Sequence, residues 1–193
     1  MTLLQEWITI CWVIFVLFWL FNAFNTKTTK ENEPLSFRLL YVIPLFVGAV
    51  LVFHDFDTSA TYPWGLATTI TPSTAGFVWL GFLFVLGGLL LALWARVSLG
   101  RNWSGRVMLK EGHELVTSGP YAWVRHPIYT AFLAMFLGTA MQSGALGAYL
   151  GVVLVFISCW IKLKREERLM LKEFPDTYPA YAVRVKRLIP FVI

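Results

Sequence analysis

Five stretches of mostly apolar residues run along the chain, and polar segments separate them. A bilayer core about 30 Å thick is crossed by roughly 20 residues of helix, so runs of this length predict membrane-spanning helices. Pro44 lies inside the second run, where we expect a kink rather than an end to the helix. The five runs cover residues 7–24, 37–53, 76–95, 127–141 and 145–163.

The last two runs are close neighbours in the sequence. The fourth is short, and only Gln142-Ser143-Gly144 separates it from the fifth, so a small-residue turn is expected to join the two helices into a hairpin. The pattern therefore predicts an all-α integral membrane protein with five transmembrane helices, the last two forming a helical hairpin. We expect one membrane domain over residues 1–193, with three spans in 1–95 and a functional core in 96–193.

Composition agrees with a membrane protein. Hydrophobic residues make up 58% of the chain and charged residues 14%, whereas a soluble domain has about 25% charged residues. The net charge is +5, but no basic face with interleaved aromatics stands apart from the apolar runs, so the pattern argues against nucleic-acid binding. Cys11 and Cys159 lie inside apolar runs, where we assign them to packing. No metal site is predicted.

The basic residues predict how the chain crosses the membrane. All sixteen lysines and arginines lie in 25–38, in 96–125, or from Lys162 onward. Five spans place these three groups on one side, which the positive-inside rule makes the cytoplasmic side. We expect the N-terminus outside and the C-terminus in the cytoplasm, in the endoplasmic reticulum membrane of a eukaryote or the cell membrane of a prokaryote.

A dense group of ionisable residues stands where the fourth run begins. Arg125 and His126 precede Pro127, which suits the first turn of a helix, and Tyr129 shares a helix face with His126. The hairpin would return Glu167 to the same membrane surface. Ionisable groups at such a depth commonly mark functional sites, and the pattern predicts a chemical site here.

Simpler roles exist for the single residues of this region. Arg125 would anchor the helix to lipid headgroups, Tyr129 would join an aromatic belt, and Lys162 would be an interfacial anchor. The basic residues of the tail would form a headgroup-binding patch. That patch would consist of Arg184, Lys186 and Arg187.

Several motifs in a fixed order outweigh these simpler roles. They are the segment His113 to Tyr121, the segment Arg125 to Tyr129, the pair Glu166-Glu167, and Tyr178-Pro-Ala-Tyr181 followed by Arg184 and Arg187. Together they resemble the isoprenylcysteine carboxyl methyltransferase family over residues 96–190. The resemblance implies methylation of the C-terminal carboxylate of a prenylated cysteine, with S-adenosylmethionine as methyl donor and S-adenosylhomocysteine as product.

The resemblance also implies roles for individual residues. The cofactor pocket would lie near the cytoplasmic face, closed by the 96–125 linker and the C-terminal tail, and Glu167 and Arg168 would be catalytic. The sequence departs from the family at Leu163, where the family has an arginine; Arg165 or Arg168 would replace it. The expected cofactor-binding residues are His113, Glu114, Leu115, Val116, Tyr121, His126, Pro127, Ile128 and Tyr129.

The chemistry leaves the methyl acceptor open at this point. A carboxylate acceptor needs no general base, whereas an amine must lose a proton, for which Glu167 is a plausible base. The expected partners are therefore membrane lipids and a lipophilic substrate, either a prenylcysteine or a phospholipid amine. More distant alternatives are an enzyme related to sterol reductases, which would use a nicotinamide cofactor, and a non-enzymatic membrane protein.

Overall fold

The computed structural model describes residues 3–23, 34–56, 63–72, 74–100 and 115–192. This part of the chain is helical, with short 3-10 turns at Pro63–Gly65 and Gly119–Ala122 and without a β-strand. The α-helices are α1 (Leu3–Ala23), α2 (Leu35–Phe53), α3 (Ala75–Leu99), α4 (Pro127–Ser143), α5 (Leu146–Glu173) and α6 (Tyr178–Arg184).

Four helices of the described segments are long and apolar enough to cross a membrane: α1, α2, α3 and α5. The prediction of an all-α protein with several membrane spans is confirmed in this coarser form. Helix α4 has 17 residues, and its role as a fifth span stays a prediction. Helix α2 continues through Pro44.

The long helices pack in pairs through glycines. Helix α3 lies against α4, and α2 lies against α5. A Cβ atom on Gly81 would lie 2.7 Å from the carbonyl oxygen of Gly138, and one on Gly48 would lie 2.6 Å from that of Gly151. Small residues at these crossings let the backbones approach closely, which is how helices gain packing contacts in lipid.

Aromatic side chains fill the space between α1, α2 and α4. The ring of Trp12 packs edge-on against Phe53, Phe132 and Phe136, with centroid distances of 4.9–6.2 Å. Its indole N–H donates to the Thr139 hydroxyl at 3.0 Å, which satisfies the one polar group of the ring. Both cysteines are buried free thiols, in agreement with the packing role predicted for them.

The turn between α4 and α5 fixes the direction of the hairpin. Gly144 takes a left-handed backbone conformation with φ 69°, which a glycine adopts without steric cost. Backbone bonds join this turn to the 66–70 loop; the N–H of Ile70 donates to the Gly144 carbonyl at 2.9 Å. As a result, α5 runs back along α4, and its end lies beside the start of α4.

Helix α5 continues to Glu173, beyond the end of the apolar run at residue 163. Residues 164–173 are mostly Lys, Arg, Glu, Leu and Met, all of which favour helix. The extension is polar and places Glu166 and Glu167 on a regular helix.

Candidate active site

Arg125 is the central cation of the site and is only 8% exposed. Its Nε and Nη2 atoms donate to Oε1 of Glu167 at 3.0 and 2.5 Å. Its Nη1 atom donates to the Ala182 carbonyl at 2.8 Å and also to the Val185 carbonyl. One guanidinium group therefore ties α5 to the residues at the end of α6.

The chain after α6 lies alongside the segment that leads into α4. The backbone N–H of Arg125 donates to the Lys186 carbonyl at 2.7 Å, and that of His126 donates to the Arg187 carbonyl at 3.0 Å. The Thr130 hydroxyl adds a bond to the Leu188 carbonyl at 2.7 Å. These bonds hold the tail against the first turn of α4.

Arg187 completes the set of donors around Glu167. Its Nε atom donates to Oε2 of Glu167 at 2.9 Å. The headgroup patch predicted for the tail is therefore wrong for Arg187, whose side chain points to a buried carboxylate. Lone buried carboxylates are costly unless cations pair with them, and here two guanidinium groups do so.

His126, Tyr129 and Glu166 form the second half of the cluster. The two rings stack with centroids 5.5 Å apart, as expected for neighbours on one helix face. The Tyr129 hydroxyl donates to Oε1 of Glu166 at 2.6 Å. Nδ1 of His126 lies 3.7 Å from Oε2 of Glu166, and Nε2 lies 3.4 Å from Oε1 of Glu167. The structure thus brings together the groups that the hairpin was predicted to join.

Two buried tyrosines support the cluster from outside the membrane-spanning helices. Tyr121 lies in the 3-10 turn, and the Tyr181 hydroxyl donates to its carbonyl at 2.7 Å. Burial raises the pKa of Tyr181 to about 12 and the pKa of Tyr121 well above its usual range. Both side chains are therefore neutral hydrogen-bonding groups at ordinary pH.

A cleft of about 350 Å³ opens beside Tyr181. It carries apolar, hydroxyl, aromatic and cationic groups, so it can hold a ligand with an apolar ring and several polar substituents. Its lining residues are Leu115, Thr117, Thr177, Ala180, Tyr181 and Arg184.

The other predicted site residues lie in different surroundings. Pro127 is fully buried in the first turn of α4, while Val116 and Ile128 are half-buried. Arg168 is exposed on α5, and the described contacts do not bring it into the cluster. His113 and Glu114 lie outside the described residues. Within the described segments, no group of three His, Cys, Asp or Glu side chains is placed to hold a metal ion.

Comparison with known proteins relates this cluster to a family. Residues 79–172 match the family described as isoprenylcysteine carboxyl methyltransferase. A protein-S-isoprenylcysteine O-methyltransferase of Xenopus laevis is 28% identical over 178 residues, which is 85% of this chain and 58% of that protein. The Schizosaccharomyces pombe protein of the same name is 35% identical over 119 residues, which is 58% of this chain and 48% of the relative.

A plant relative gives a similar match. The Arabidopsis thaliana protein-S-isoprenylcysteine O-methyltransferase B is 31% identical over 115 residues, which is 58% of each chain. This chain therefore spans about half to three fifths of the length of these curated relatives. The matched segment contains Arg125, His126, Tyr129 and Glu167. The motifs predicted a resemblance to the isoprenylcysteine carboxyl methyltransferase family, and the match over residues 79–172 confirms it.

Proposed function

We propose that this chain transfers the methyl group of S-adenosylmethionine to the C-terminal carboxylate of a prenylated cysteine in the membrane. The observation that carries the proposal is that one matched segment, residues 79–172, contains all of α4 and both glutamates of the cluster. The names of the relatives from frog, yeast and plant point to the same acceptor.

The described residues fit the proposed methyl donor. S-adenosylmethionine would supply an activated methyl group on a cationic sulfur, together with an ammonium, a carboxylate and an adenosine. Glu166, the Tyr129 hydroxyl and the His126 ring would face the cationic part, since carboxylates and aromatic rings attract cations. Leu115 and Tyr181 in the neighbouring cleft would take the adenosine.

The geometry around Glu167 favours a carboxylate acceptor over an amine. Both oxygens of Glu167 accept from guanidinium groups, Oε1 from Arg125 and Oε2 from Arg187. A carboxylate engaged in this way is poorly placed to take a proton from an amine, and a carboxylate acceptor needs no base. Glu167 would then act by holding Arg125 and the tail in position, so that the reacting groups are aligned.

The catalytic roles of Glu167 and Arg168 stay predictions. Glu167 fits a positioning role at the centre of the cluster. Arg168 is exposed on the polar extension of α5, so a contact with the acceptor would require the acceptor's head to reach that surface.

The proposal includes five membrane spans and a cytoplasmic pocket. Helix α4, with 17 residues, is about 26 Å long at 1.5 Å per residue, close to the thickness of a bilayer core. The cluster lies where α4 begins and α5 becomes polar. The positive-inside rule would make this side cytoplasmic, because the sequence has basic residues around both positions.

A labelled-methyl assay on the protein in lipid nanodiscs tests the proposal. S-adenosylmethionine with a labelled methyl group is offered with a prenylcysteine, a fatty acid or phosphatidylethanolamine. The expected result is a base-labile methyl ester on the prenylcysteine, and no label on the matched prenyl compound that lacks the carboxylate. Label on phosphatidylethanolamine alone would replace the proposal with amine methylation, and binding of S-adenosylmethionine without transfer to any acceptor would refute it.

A further inference from the structure

Lys162 is a further cation near the cluster, and its ammonium lies close to residues of two other helices. Its Nζ atom is 5.4 Å from the ring centroid of Tyr41 and 5.8 Å from that of Tyr129. Tyr41 belongs to α2, Tyr129 to α4 and Lys162 to α5. An interfacial anchor would extend toward the lipid headgroups, whereas this ammonium lies over aromatic rings of two neighbouring helices.

Both tyrosines make further contacts within the described part of the chain. Tyr41 is only 4% exposed, and its carbonyl accepts from the buried Ser158 hydroxyl of α5 at 2.7 Å. The Tyr129 hydroxyl donates to Glu166 at 2.6 Å. Ammonium groups are attracted to such ring faces, more strongly where water is excluded, so the rings from α2 and α4 favour this position of the Lys162 charge.

This position is next to the proposed methyl-transfer site. Glu166 follows Lys162 by four residues and therefore lies one helical turn further along the same face of α5. Tyr129 contacts both residues, with its ring facing Lys162 and its hydroxyl bonded to Glu166. A group bound at Lys162 would thus lie beside Tyr129, between the apolar part of the bundle and the polar cluster.

The other described cations of this region have different surroundings. Arg125 and Arg187 donate to Glu167. The guanidinium of Arg165 lies over the Phe37 ring. Lys164 lies over the Trp160 ring and is exposed. Among these cations, Lys162 is the one that lies over the Tyr129 ring, next to Tyr41 of the apolar helix α2. A lipid-linked acceptor would approach from the apolar helices.

We infer that Lys162 is a substrate-binding residue whose ammonium receives the carboxylate of the membrane-embedded acceptor, with Tyr41 and Tyr129 fixing its position. This inference rests on the proposed function and specifies the group that selects the acceptor. The N–H groups of an ammonium can bind a carboxylate. Charge-assisted bonds of this kind are among the strongest in proteins.

The test compares binding of a prenylcysteine with binding of its uncharged carboxamide. Lys162→Met keeps the length of the side chain and removes the charge, and Lys162→Arg keeps the charge. Lys164→Met is the matched control on the same helix. Dissociation constants for both ligands and for S-adenosylhomocysteine are measured on protein in nanodiscs, and circular dichroism verifies that each variant is folded. Lys162→Gln serves if the methionine variant does not fold.

Lys162→Met is expected to weaken prenylcysteine binding by roughly tenfold or more. Binding of the carboxamide and of S-adenosylhomocysteine should stay at the wild-type level, Lys162→Arg should retain most of the affinity, and Lys164→Met should match wild type. An equal loss for the acid and the carboxamide would reveal a packing role and overturn the inference, as would unchanged binding of the acid.

The two levels of the proposal fail in different ways. Wild-type protein that binds S-adenosylhomocysteine but no prenylcysteine would overturn the proposed function, and this inference with it. Wild-type protein that binds and methylates the prenylcysteine, with a Lys162→Met variant that does so equally well, would overturn only the role of Lys162.

Discussion

Replacing Glu167 with glutamine removes the negative charge that holds the start of α4 and the tail against α5. In the native protein the Glu167 carboxylate accepts from Arg125 at 3.0 and 2.5 Å and from Arg187 at 2.9 Å. The amide keeps one acceptor oxygen but places an NH₂ donor against a guanidinium group. Arg125, only 8% exposed, would then keep its carbonyl partners and lose its counter-charge.

The size of the effect follows from this burial. Removing one partner of a buried ion pair costs about 3–5 kcal/mol, and because the amide retains one acceptor we expect the lower end, about 3 kcal/mol. The loss should appear in an unfolding titration with dodecyl sulfate followed by circular dichroism. Faster proteolysis of the segment after α5 should accompany it, and methyl transfer should fall severely because the positioned cluster is lost.

Glu166→Gln is the matched control on the adjacent residue. Its amide oxygen can still accept from the Tyr129 hydroxyl, and the side chain is 26% exposed, so we expect a loss of about 1 kcal/mol or less. If Glu167→Gln unfolds at the wild-type midpoint and its tail is cleaved no faster, the ion-pair cluster does not stabilise the tail, and this reasoning is refuted.

Three further changes test other parts of the structure. Gly88→Ala should destabilise the protein by about 1–3 kcal/mol in the same titration, because the added methyl group would meet α4. Gly87→Ala, whose methyl group would have nothing within 4 Å, should be neutral or slightly stabilising. Equal effects of the two changes would contradict the packing of α3 against α4 at Gly88. Tyr129→Phe should weaken S-adenosylmethionine binding about tenfold in calorimetry by releasing Glu166, and unchanged affinity would exclude that role. The Tyr181 hydroxyl contributes stability that is fully present below about pH 10, the usual tyrosine pKa, and is lost as the pH rises through its raised pKa of about 12. Proteolysis of the tail should therefore become faster over this pH range in the wild type but not in Tyr181→Phe. If the variant shows the same increase, another group causes it.

The sequence pattern was sufficient to predict α1 to α5 and the hairpin, but not the polar end of α5 or the short helix α6. A helix in lipid requires apolar side chains along its whole length, so the apolar runs indicate the helices directly. The five predicted runs correspond to α1 through α5. Pro127 and Gly144 indicated where α4 begins and where the hairpin turns, because their backbone preferences act locally. The approach of the first turn of α4 to the glutamate pair, with His126 beside Glu167 and Tyr129 beside Glu166, followed from that hairpin.

The contacts of the tail could not be read from the sequence. Arg187 has the same local pattern as a headgroup-binding residue, and only the return of the chain along residues 123–126 directs it to Glu167. Lys162 likewise lies at the end of an apolar run, as an interfacial anchor does, and the two rings near its charge come from α2 and α4. Arg125 is the exception, since an arginine directly before a buried helix start requires a buried partner, and this requirement can be read from the sequence.

A structure of the protein bound to S-adenosylhomocysteine tests the central claim most directly. The account predicts that the amino-acid part of the ligand contacts His126, Tyr129 and Glu166, and that its adenosine lies in the cleft beside Leu115 and Tyr181. A ligand bound elsewhere, with the first turn of α4 and the end of α5 free of contact, would contradict the assignment of this cluster as the methyl-transfer site.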